Sequence, residues 1–122
     1  MQSKDAAARL GITQRMLRHY EAEGLMQVAR GTNGYRSYSP SDLRRAARIR
    51  DFIATGFSTR EIHAMRACLS DDGSGPCSGG IEKLTEKLAH IDRLQAELDA
   101  KRTAVLQRLY TLRQGLDATA AE

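Results

Sequence analysis

At 122 residues, the chain suits one domain, or one small domain with an extension. With 2 Phe, 4 Tyr and no Trp, its core must come from Leu, Ile, Ala and Met, and thin cores of this kind are often completed by a second subunit. The net charge of +4 divides unevenly: residues 1–70 carry 12 Lys/Arg against 6 Asp/Glu, hence +6, and residues 71–122 carry 7 against 9, hence −2. A basic front half is where a polyanion binds. No apolar run nears the roughly 20 residues of a membrane span. No secretory leader precedes the first charged residue, Lys4, so the expectation is a cytoplasmic protein without a membrane partner. No nucleophile–base pair or phosphate loop is visible, and an enzyme is not expected.

In chain order, "SKDAAARLGI" reads as a short alanine-rich helix stopped by Gly11. Thr13 fits the N-cap of a second helix over residues 14–23. On that helix Met16, Leu17 and Tyr20 share a face, while Arg15, Arg18 and His19 fall largely off it. Two short helices around a Gly-containing turn form a helix-turn-helix, and arginines on its second helix suit the element that enters the major groove. Leu25, Met26 and Val28 suggest a strand. "TNG" signals a hairpin turn, and Tyr35, Arg36 and Tyr38 suggest the returning strand. With Arg30 nearby, this ribbon reads as a wing against a phosphate backbone or as an ordinary solvent hairpin. Ser39 or Ser41 caps the next helix, Pro40 starts it and Gly56 ends it. Leu43, Ala46, Ala47, Ile49, Phe52 and Ile53 form its buried stripe, with Arg44, Arg45, Arg48 and Arg50 on the wet side. "STREIHAMRACL" opens with a capping box, Ser58 to Glu61, and Ile62, Ala64, Met65 and Leu69 pack. "SDDGSGPCSGG" is a loop.

From Ile81 the pattern changes. Ile81, Leu84, Leu88, Ile91, Gln95, Leu98, Arg102, Val105, Leu109, Leu112 and Leu116 step by threes and fours in one heptad register. Such a helix has little to bury against within so small a chain, so the spacing predicts a coiled coil with a second copy. The organisation expected is a DNA-binding domain over 1–70, a linker over 71–80, a coiled-coil helix over 81–116 and a tail over 117–122.

"RMLRHYEAEGL" followed by "NGYRSYSPSDL" resembles the MerR family of bacterial transcription regulators, from about Lys4 to Leu69 with the long helix beyond. The resemblance implies a mainly α fold: a winged helix-turn-helix followed by a dimerisation helix that pairs antiparallel in a homodimer. It implies a protein that sits on double-stranded promoter DNA with an over-long spacer, and that bends and untwists it for RNA polymerase when an effector binds. Deformation of this kind is a form of indirect readout. It places Thr13, Arg15, Arg18 and Tyr20 on the recognition helix and Tyr35, Arg36 and Tyr38 on the wing; with Arg30, Asn33 and Gly34 of the hairpin these are the expected DNA-binding residues. It places Ile81, Leu84, Leu88, Ile91, Leu98, Val105, Leu109 and Leu112 in the dimer interface. Ser3 departs from the apolar residue usual at its position.

No cofactor is expected, and the effector is open. Cys77 stands where the family's metal sensors carry Cys or Ser at the start of the dimerisation helix. The cysteine pair those sensors need after that helix is missing from "LYTLRQGLDATAAE". Cys68 and Cys77 are metal candidates with His63 or His90 as helpers, since a soft metal needs at least two thiolates. The reading preferred over that is Cys68 as a small core residue and Cys77 as a loop thiol. Competing readings are a thiol- or metal-responsive sensor and an architectural DNA-binding protein.

Overall fold

The computed structural model describes residues 1–69 and 78–121. The elements are α1 (Ser3–Leu10), α2 (Gln14–Ala22), β1 (Ala29–Arg30), β2 (Arg36–Ser37), α3 (Pro40–Ala54), α4 (Thr59–Ala64), a 3-10 turn (Arg66–Leu69) and α5 (Ser78–Ala121). They cluster into two units, Met1–Leu84 and Thr85–Glu122.

In the first unit, local signals set the element ends. Gly11 closes α1 in the left-handed region at φ 69°. The Thr13 hydroxyl accepts from the Met16 N–H and opens α2. Ser39 with Asp42, and Ser58 with Glu61, form reciprocal capping boxes at the starts of α3 and α4. Each such cap supplies partners for N–H groups that a helix start leaves unpaired, typically ~1 kcal/mol. The core joins Ala6, Ala7 and Leu10 of α1, Leu17 and Tyr20 of α2, Ala46 and Ile49 of α3, and Ile62, Met65 and Leu69 beyond, with Leu25, Met26, Tyr38 and Phe57 between them. Of this unit's residues expected on apolar faces, Ala64 and Met16 are exposed. Helix α1 packs through Ala6, Ala7 and Leu10, and the polar Ser3 at its start is half-buried outside this cluster.

Three features differ from the sequence reading. The expected strand at Leu25, Met26 and Val28 is not formed. Leu25 and Met26 are consecutive and both buried, whereas a strand points neighbours to opposite faces. The Leu25 N–H donates to Tyr20 O at 3.0 Å and finishes α2 instead. The ribbon is reduced to Ala29 opposite Ser37 and Arg30 opposite Arg36.

The arginines of α3 are not simply its wet side. Arg50 Nη1 donates to Leu10 O at 2.8 Å, Arg45 Nε to Leu25 O at 2.6 Å and Arg48 Nη1 to Leu69 O at 3.1 Å. Each carbonyl stands at or just past the end of a helical segment, where C=O groups lack intrahelical partners and the helix dipole is negative. Helix α3 therefore ties α1, the exit from α2 and the 3-10 turn to itself.

Helix α5 has 44 residues, longer than the span 81–116. It takes in Ser78 to Gly80, assigned to the linker, and 117–121, assigned to the tail. Gly115 does not end it, because one glycine costs only ~1 kcal/mol against Ala and its neighbours Gln114 and Leu116 are helix formers. At 1.5 Å per residue the helix is about 66 Å long.

Candidate nucleic-acid interface

The second helix of the helix-turn-helix, α2, buries Leu17 and Tyr20. Its opposite side exposes Gln14, Arg15, Arg18 and His19. Just past the C-cap Glu23 stands Gly24, whose φ of +74° favours glycine. The His63 ring lies 3.5 Å from where a Cβ would stand there. The chain then turns into the wing. Asn33 Oδ1 accepts from the Tyr35 N–H at 3.1 Å, and Gly34 takes φ 81°, so the tip of the wing is a turn closed by its own side chain. Tyr35 stands out from it at 68% exposure. Arg30 Nη1 donates to Gly34 O at 3.2 Å and leaves its guanidinium on the surface.

Two hollows flank the exposed ridge of α2. One, of about 290 Å³, lies toward the wing and is lined by Lys4, Gln14, Arg18, Arg30, Tyr35 and Arg36, with Gln2 and Ser3. The other, of about 620 Å³, lies toward α4; its walls include Arg15, Met16, His19, Ile53, Phe57 and Ser58. A ridge carrying arginines, bordered by a cationic cleft under a hairpin, has the shape and charge that a duplex backbone requires.

The structure separates the site residues expected from the sequence. Arg15, Arg18, Arg30, Asn33, Gly34 and Tyr35 lie on this surface. Thr13 is exposed beside it, but its hydroxyl is engaged as the cap. Tyr20 and Tyr38 are corrections: at 1% and 2% exposure they belong to the core. Helical spacing already put Tyr20 beside Leu17, and this periodicity prevails over the DNA-facing position implied by resemblance. Neither hydroxyl has a hydrogen-bond partner among the described residues. Burial pushes the Tyr20 phenol above its ordinary value, an effect the Arg50 charge opposes only in part. Arg36 is a partial correction. It lines the cleft, yet its Nε donates to Glu21 Oε2 at 2.6 Å, so its charge joins the wing to α2. Lys4, Gln14 and Glu21 are the residues that sequence reasoning missed. The signal for Gln14 was its place directly after the Thr13 cap.

The effector candidates do not converge. Cys68 is partly buried against the core and is disulfide-bonded, so in this state it holds no thiolate for a metal. Cys77 lies outside the described residues. The His63 ring packs over Gly24 and its Nδ1 stands 3.4 Å from Arg66 Nη1. His90 is exposed on α5. No group of three or more His, Cys, Asp or Glu suited to a metal occurs among the described residues. No described helix is long and apolar enough to cross a membrane.

Residues 1–67 match the family described as MerR HTH family regulatory protein, and residues 43–119 match MerR, DNA binding. The chain belongs to the MerR family. It is a DNA-binding transcriptional regulator. A probable heavy metal-dependent transcriptional regulator of Haemophilus influenzae is 33% identical over 96% of this chain and 91% of its own. The regulator CueR of Salmonella typhi is 32% identical over 87% of this chain and 77% of its own. The crystal structure of HiNmlR, a MerR family regulator lacking the sensor domain and bound to promoter DNA, superposes with a TM-score of 0.59 at 27% identity, covering 86% of each chain. This chain has a winged helix-turn-helix followed by one long helix.

That helix carries the remaining unsatisfied surface. Ile81, Leu84, Leu88, Ile91, Leu98, Val105, Leu109, Leu112 and Leu116 are all exposed in the single chain. They share the heptad stripe, and Ala104 leaves a hollow of about 370 Å³ beside Val105, Leu109 and Leu112. Knob-shaped side chains of a second helix fill hollows of this kind.

Proposed function

We propose that this MerR-family protein acts in the cytoplasm as a homodimer on promoter DNA and works with RNA polymerase by bending and untwisting an over-long spacer when an effector is present. The observation that carries the DNA half of this reading is the exposed pair Arg15 and Arg18 on a capped second helix, beside the cationic cleft and the Tyr35-tipped wing. The dimer half rests on the exposed heptad stripe of α5, Ile81 to Leu116, since an apolar seam about 53 Å long requires a partner to leave water. The decisive experiment is a fluorescence titration of Arg18→Ala against operator DNA. Loss of a base-edge or phosphate contact typically costs ~1–3 kcal/mol, so affinity falls while circular dichroism and dimer mass persist. Unchanged affinity would remove α2 from the interface.

A second reading of the effector is a thiol or soft-metal response: the disulfide at Cys68 favours its redox half, and relatives such as the probable heavy metal-dependent Haemophilus regulator its metal half. Arg48 holds the carbonyl of the adjacent Leu69, which links this position to α3. Cys68→Ser is expected to leave basal operator binding intact and to alter only the transcriptional response to an oxidant, copper, mercury or zinc. If all four inputs act alike on both proteins, Cys68 is structural.

A further inference from the structure

Gln14 is the first residue of α2, directly after its cap. It is exposed, and its side chain has no hydrogen-bond partner among the described residues. It shares the cleft toward the wing with Arg18, one helical turn on. At about 100° per residue the two lie ~40° apart around the axis. Side chains on a helix tilt toward its N-terminus, so Gln14 leans beyond the end of the element that leads into the groove.

The chemistry of this residue differs from that of its neighbours. Lys4, Arg18 and Arg30 can neutralise phosphate, which positions a protein without reading sequence. A carboxamide adds nothing to that charge. What it offers is a donor and an acceptor side by side, the pattern that matches N6 and N7 of adenine in the major groove. Two nearby polar side chains are already engaged: the Thr13 hydroxyl accepts from the Met16 N–H and Asn33 Oδ1 from the Tyr35 N–H, while Ser3, which also lines the cleft, stands on α1. Gln2, the other amide in the cleft, precedes α1 and is not on the recognition helix. Residues at the N-terminal end of a recognition helix are the ones that reach base edges.

From this placement we propose that Gln14 is a specificity-determining residue, reading an adenine edge at one base pair of each half-site, next to the position held by Arg18. The inference rests on the DNA-binding reading above, and the test separates the two. Full-length protein, Gln14→Ala, Gln14→Glu and Arg18→Ala are each used to select from a duplex library with a randomised half-site, and the bound DNA is sequenced. The wild type enriches adenine at one position. Gln14→Ala flattens that position alone, by about fivefold to 150-fold in relative preference, the range of one bidentate pair. Gln14→Glu moves the preference toward cytosine, whose N4 amino group a carboxylate accepts from. If the profiles of both Gln14 variants superimpose on the wild type while Arg18→Ala loses binding, Gln14 is only a solvated first residue of the helix and the proposal fails by itself. If the wild type selects no sequence at all, the DNA-recognition reading falls with it.

Discussion

The Arg36–Glu21 pair turns one substitution into a test between two roles. Its atoms are 2.6 Å apart, and the two side chains are 27% and 25% exposed. At an effective dielectric of ~20 the attraction at that separation is about 6 kcal/mol. Desolvation and side-chain ordering offset most of it, leaving the ~1.5–3 kcal/mol usual for hydrogen bonds to charged groups. Glu21→Gln keeps the shape and an acceptor oxygen but removes the charge, so unfolding stability should fall by about 1–2 kcal/mol.

The effect on DNA binding then has a diagnostic sign. Removing an anion from α2 tightens binding to a polyanion on charge alone. If the pair holds the wing against α2, binding weakens instead, roughly fivefold for each kcal/mol of wing ordering lost. The assays are urea unfolding at fixed protein concentration and operator titration across a salt series. Arg36→Ala completes the cycle. An arginine already paired with Glu21 leaves the salt slope unchanged when removed, whereas one seated on a phosphate lowers it by about 0.9. Tighter binding by Glu21→Gln, with a shallower slope in Arg36→Ala, would refute the wing-holding role of the pair and make Arg36 a phosphate ligand.

Two further expectations follow from burial. Tyr20→Phe deletes a buried hydroxyl that has no partner among the described residues, so stability should hold or rise by up to ~1 kcal/mol, with operator affinity within about twofold. Because burial raises the Tyr20 phenol above 10.0, the native state keeps a proton that the unfolded chain releases. Stability therefore falls as pH rises past about 10, and Tyr20→Phe removes that part of the fall in alkaline unfolding; a large loss of operator affinity would return the ring to the DNA surface. Leu98→Asp puts a charge in the middle of the α5 stripe and should yield monomers of lower thermal stability by light scattering. A mutant that remains dimeric would remove this stripe from the interface.

The parts of the fold legible in the sequence were those governed by neighbours in the chain. Thr13, Ser39 and Ser58 cap their helices because a hydroxyl one turn from a free N–H needs no tertiary help. The heptads of α5 were legible for the same reason, although its ends were not. Helix limits depend on the sum of weak propensities rather than on one signal. Residues whose role depends on distant partners were harder. Nothing near Arg36 in the chain announces Glu21, and nothing near Arg50 announces the carbonyl of Leu10, 40 residues away. Tyr38 follows the exposed Ser37 and is buried, while the backbone beside it pairs with Met1 through Tyr38 N–H to Met1 O at 2.7 Å, a contact that no local pattern encodes. The disulfide at Cys68 was likewise outside what two cysteines in a sequence can decide.

The basic front half invites the simple equation of positive charge with DNA contact, and the structure divides that charge in two. Arg45, Arg48 and Arg50 point toward carbonyls at helical ends and Arg36 toward a carboxylate. Their charges are used where the chain reverses direction. Arg45 shows the cost: burial lowers its pKa, and the charge of Arg48 lowers it further. A charged donor is nonetheless worth more to an unpaired carbonyl than a neutral one, and the long guanidinium stem reaches an end that a shorter side chain would leave open. What remains facing outward beside α2 and the wing is the smaller set Lys4, Arg15, Arg18 and Arg30. These surround Gln14 and the Tyr35 tip, so the outward-facing cations and the free carboxamide occupy one continuous surface. The arginines of α3 set that surface's geometry, because the ends of α1, α2 and the 3-10 turn are each held to the same helix. A change in any one of those three attachments would therefore reach that surface through α3.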